Sequence, residues 1–169
     1  MILAALSSIV MLQAAAAPAA PDAALERLRQ RVGTCIQANA AVVERNDPNL
    51  ADAATFLVEY VCANEVQVFE RYRTNVGLLA GMRNMQQIAG GDEDESTSPP
   101  MKALLAKQAT MYQSAHVDPD SGQIVYPPGS TGPFNAGIDL LPDSVPAAPE
   151  FRVLAARTVL QARQSRLGQ

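Results

Sequence analysis

The chain has 169 residues, enough for one domain with a buried core and too few for two of ordinary size. It is 48% hydrophobic but only 5% aromatic, with no Trp, so Ala, Leu and Val supply the bulk, a helix-forming composition. A net charge of −4 argues against a nucleic-acid partner, which needs clustered Lys and Arg, and one His excludes H-E-x-x-H and most His-rich metal sites.

Ile2 to Leu12 is an apolar run of signal-peptide length, and the small residues after it offer cleavage after Ala16 or Ala19. No Lys or Arg precedes the run, so a retained anchor is the alternative. Gln13, Pro18 and the weakly apolar alanines nevertheless make Ile2–Ala20 a poor membrane span. The expectation is a signal peptide over 1–19 and a single helical domain over 20–169. The mature chain is then periplasmic or secreted, with no stable membrane span.

From Asp22, Leu25, Leu28, Val32, Ile36 and Val43 recur at helical spacing until Asn46, Asp47 and Pro48 stop the run. A second helix starts near Asn49, an N-cap with Asp52 three residues on, and Ala54, Leu57, Val61, Val68, Phe69 and Tyr72 trace its buried stripe. The two form an antiparallel hairpin. Cys35 and Cys62 are equidistant from its turn, about 20 Å along each helix, and therefore stand at the same height. Without a C-x-x-C, and in an exported chain, that placement predicts a structural disulfide rather than a metal or redox site.

The second helix continues through Leu78, Met82, Met85 and Ile88, with Gly77 and Gly81 marking a close crossing or a bend. Asp92–Glu95 reads as a solvated acidic loop. Ser98 and Pro99 open another helix, whose apolar face is Met101, Leu104, Leu105, Met111 and Tyr112, to about Ala115.

Residues 116–149 hold seven of the twelve prolines and four of the ten glycines. A turn at Asp118–Gly122 and a short strand over Gln123–Tyr126 are expected. Phe134, Ile138, Leu140 and Leu141 suit a segment that wraps across the bundle and walls a pocket, with a mobile linker as the alternative. Pro149, Glu150 and Gly168 then punctuate a last helix whose outer face carries Arg152, Arg157, Arg163 and Arg166.

The chain has no P-loop and no G-x-S-x-G. The expected architecture is all-α, a disulfide-clamped bundle of four to five helices with a long Pro/Gly-rich segment before the last. The expected function is non-enzymatic binding of a protein or envelope component, with no cofactor, through a segment that includes His116, Asp118, Tyr126 and Phe134. Two alternatives stay open. Met82, Met85, Met101, Met111 and His116 have the soft ligand chemistry of a copper carrier, or the chain carries another small ligand. His116 with Asp118 or Asp120 is the acid–base pair that an enzyme would use.

Overall fold

A computed structural model describes residues 21–47, 49–91, 98–130 and 147–168. Among them are five α-helices: α1 (Pro21–Asn46), α2 (Leu50–Phe56), α3 (Ala63–Gly91), α4 (Pro99–Ser114) and α5 (Pro149–Leu167). A π-helical turn, Leu57–Val61, joins α2 to α3, and the two-residue strands β1 (His116–Val117) and β2 (Ile124–Val125) pair antiparallel. The all-α expectation holds. No helix among the described residues is long and apolar enough to cross a membrane.

The main core lies between α1, the α2–α3 arm and α5. Helix α1 buries Ala24, Leu28, Val32, Ile36, Ala40 and Val43, a stripe at steps of three and four that keeps one face inward. Helix α5 answers with Phe151, Ala155 and Val159, and the Phe151 ring meets Phe69 of α3 edge-on at 4.9 Å. Fully covering each such phenyl ring contributes about 2–3 kcal/mol.

The start of α2 is capped as expected. Asn49 Oδ1 accepts the Ala51 N–H at 3.0 Å, and Asn49 Nδ2 donates to Asp52 at 2.7 Å. The disulfide between Cys35 and Cys62 is formed, with Cα atoms 5.9 Å apart. The π turn departs from the expected regular helix. It takes one more residue per turn than an α-helix, so Val61 is exposed and Cys62 is buried facing α1.

Gly77 and Gly81 mark no close crossing among the described residues. Helix α3 runs unbroken past both, and a Cβ at either position would meet nothing within 4 Å.

Two buried carboxylates fix α5 at its ends. Glu70 of α3 is fully buried; its Oε1 accepts the Ala148 N–H at 2.7 Å, which places negative charge at the start of α5. Its Oε2 lies 2.7 Å from Arg73 Nη2, an ion pair without good hydrogen-bond direction. At the other end, Glu44 of α1 is covered by Arg163 and Arg166, at 3.1 and 2.8 Å. The basic outer face expected of α5 is thus partly turned inward, and Arg152 also pairs with Glu59 at 2.7 Å.

Candidate functional site

Helix α4 and the β-hairpin sit on α3, away from α5. The hairpin turn is built from its own side chains. Asp118 Oδ2 accepts from the Ser121 hydroxyl at 2.6 Å, and Oδ1 accepts the Asp120 N–H at 3.2 Å. The Ser121 hydrogen bond, with the Asp120 N–H next, holds the Asp118 carboxyl below its ordinary range. Gly122 closes the turn at φ +72°, a left-handed conformation that suits glycine. A Cβ there would stand 2.9 Å from the backbone of Tyr72 and of Val68, so only glycine lets the turn rest on α3. Asn75, buried on α3, locks the contact by donating to the Gly122 carbonyl at 2.7 Å.

Arg83 joins α4 to α3 in a similar way. Its Nε donates to the Tyr112 carbonyl at 3.0 Å and its Nη2 to the Ala115 carbonyl at 2.6 Å, satisfying acceptors at the open end of α4.

Helix α4 is covered along only half its length. Met111 and Tyr112 are buried at 7% and 8% exposure. Leu104 and Leu105, two turns earlier on the same face, are 51% and 46% exposed, and Met101 is 49% exposed. One apolar stripe therefore starts in solvent and ends in the core. Between α4 and Pro127–Ser130 it opens a groove of about 420 Å³, with Leu104 and Met111 inside and Lys107 among its lining residues. That volume lies in the range of ligand pockets. A second hollow, of about 330 Å³, lies where Val42 of α1 approaches Phe56 and Val61.

The residues expected to carry function are only partly brought together. Pro127–Ser130 does form a groove wall, as expected of the Pro-rich segment; Phe134, Ile138, Leu140 and Leu141 lie outside the described residues, as does Asp92–Glu95. Tyr126 is half-buried. Its ring meets Tyr112 edge-on at 6.4 Å, and burial, with Tyr112 second, pushes its hydroxyl above the ordinary tyrosine range. His116 is exposed on β1, and no hydrogen bond joins it to Asp118 or Asp120 among the described residues. Asp118 is committed to its turn, and Asp120 pairs with Arg31 at 3.4 Å.

The methionines do not form one cluster. Met101 and Met111 are about 15 Å apart along α4, too far to share an ion. Met82 is half-buried on α3, and Met85 is exposed. No group of three His, Cys, Asp or Glu among the described residues is arranged to hold a metal ion.

Sequence reasoning did not single out Lys107, Asn75, Arg83 or Gly122 for the site. Gly122 alone had a local signal, as the closing glycine of the expected turn. No protein-family model matches the chain, and no curated protein or solved structure shows significant similarity to it.

Proposed function

We propose that the protein is an exported, non-enzymatic binding module that receives an apolar segment of a protein partner in the α4 groove. The observation that carries this function is the uncovered half of the α4 stripe, Met101, Leu104 and Leu105, continuous with the buried Met111 and Tyr112. Anchors at steps of three, four and seven are how a helix face engages a partner segment, and methionine adapts readily to an incoming side chain. Pro127–Ser130 supplies a rigid wall at little entropic cost.

Export is supported by the Ile2–Leu12 run and by the Cys35–Cys62 disulfide, since disulfides persist in oxidising compartments. The absence of a catalytic role is supported by the local engagement of Asp118 and Asp120, the carboxylates nearest His116 in sequence.

The test is site-specific photo-crosslinking in the native cell, with the reactive group at Leu104 and, as a control, at the exposed Val153 of α5. The expected outcome is one discrete protein adduct at Leu104 that is absent at Val153. Leu104→Asp should abolish partner binding and leave Tm within about 2 °C. Identical adduct patterns at both positions, or none at Leu104, would overturn the groove function.

A further inference from the structure

We infer that the segment received in the α4 groove is an acidic amphipathic helix, with carboxylates flanking its apolar stripe; this rests on the groove function proposed above. Helix α4 carries both lysines of the chain, Lys102 and Lys107, and no Asp or Glu, in a protein of net charge −4.

Their placement matters more than their number. At about 100° per residue, Met101, Leu104, Leu105, Met111 and Tyr112 fall within a stripe about 120° wide. Lys102 falls just beyond one edge of that stripe and Lys107 just beyond the other. Each lies about 40–60° outside it by the same helical geometry. Of the two, Lys107 lines the groove and Lys102 stands outside its lining, on the far edge of the stripe, so a helix lying along the exposed stripe with one edge in the groove meets a cation on each flank.

Among the described residues those cations are unspent. Several exposed arginines of the bundle are engaged within the fold: Arg29 with Glu26, Arg31 with Asp120, and Arg152 with Glu59. Among the described residues, neither lysine of α4 makes an ion pair and no carboxylate lines the groove.

The same geometry weighs against the other occupants. A second copy of the chain, docking stripe to stripe, would bring four lysines together at one desolvated seam. A bilayer surface would attract lysines, but the wall at Pro127–Ser130 makes the site concave, which suits a rod better than a flat headgroup layer. From Met101 to Met111 the stripe is about 15 Å long, the length of about three turns of a partner helix.

The test uses the exported protein with its disulfide intact. Two synthetic helical peptides of about 14 residues share one leucine stripe at i, i+3, i+4 and i+7, flanked by Glu in one and by Gln in the other. Fluorescence anisotropy gives both affinities at low salt and at about 1 M salt. The Glu peptide should bind about tenfold tighter at low salt, as two partly exposed ion pairs allow, with near parity at high salt. The double variant Lys102→Glu with Lys107→Glu should keep its melting temperature and favour the Gln peptide.

Equal affinities that both fall with Leu104→Asp would overturn the acidic partner and leave the groove standing. Failure of both peptides to bind would overturn the inference, while crosslinking at Leu104 decides separately on the groove. Binding to phosphatidylglycerol vesicles without binding to the Glu peptide would overturn it in favour of lipid. Self-association abolished by Leu104→Asp would overturn it in favour of a second copy.

Discussion

Glu44 shows how a single carboxylate makes the fold sensitive to pH. Its side chain is hidden beneath two guanidiniums, not deep among apolar groups. The hydrogen bond from Arg166, helped by Arg163, outweighs the desolvation that pulls the other way and holds the carboxyl below its ordinary value of 4.5. A carboxyl whose pKa is lower folded than unfolded stabilises the fold above the unfolded value, and that stability is lost as pH falls through the folded value. Denaturant midpoints of the wild type should therefore fall as pH drops below about 4.5. Glu44→Gln should be less stable at neutral pH but lose less over the same range. Parallel pH profiles for the two proteins would show that Glu44 does not carry the effect.

At the scale of elements, helix α3 carries an avoidable cost. Gly77 and Gly81 lie within a continuous helix, are exposed, and have empty space where a Cβ would go. Glycine at such a place gives up more backbone freedom on folding than alanine. Gly77→Ala with Gly81→Ala should stabilise the protein by about 1–2 kcal/mol, a rise in Tm of about 3–6 °C in calorimetry. An unchanged or lowered Tm would mean that the glycines serve a contact beyond the described residues. The same element shows what periodicity can and cannot reveal. The Asn49 cap was legible because it depends on residues beside one turn, and the Cys35–Cys62 pairing because the two cysteines are equidistant from that turn. The exposure of Val61 was not, because a π turn resets the phase without a distinctive residue type.

Across the whole molecule, a clamped core of α1, α2–α3 and α5 carries the hairpin turn against Val68, Tyr72 and Asn75 of α3 and the end of α4 against Arg83. Buried polar links join these parts over long sequence separations: 78 residues from Glu70 to Ala148 and 47 from Asn75 to Gly122. No local pattern announces such partners. The groove was half legible for a related reason: the α4 stripe and the Pro-rich wall are both visible in the sequence, whereas which half of the stripe stays uncovered is set by tertiary packing. Gly122→Ala tests this division. The new Cβ would meet α3 backbone at 2.9 Å in a strained conformation, at a cost of about 1–3 kcal/mol. Hydrogen exchange should quicken over residues 116–130 while α1 and α5 keep their protection, and groove binding should weaken. Equal loss of protection in α1 would show that the hairpin is integral to the core.

The Glu44 clamp also sets where the polypeptide can be shortened. Arg163 and Arg166 stand in the last two turns of α5, where exposed residues look dispensable and where trimming by carboxypeptidases or by a cloning boundary begins. Loss of residues 165–169 would remove Arg166 and leave Glu44 with Arg163; loss of three more would leave it with neither guanidinium. Tolerance to C-terminal trimming should therefore fall in two steps as each arginine is lost, visible as two drops in melting temperature along a series of single-residue deletions. A smooth decline would mean that the clamp does not set the boundary. By this geometry an affinity tag belongs beyond Gln169, with Arg163 and Arg166 kept.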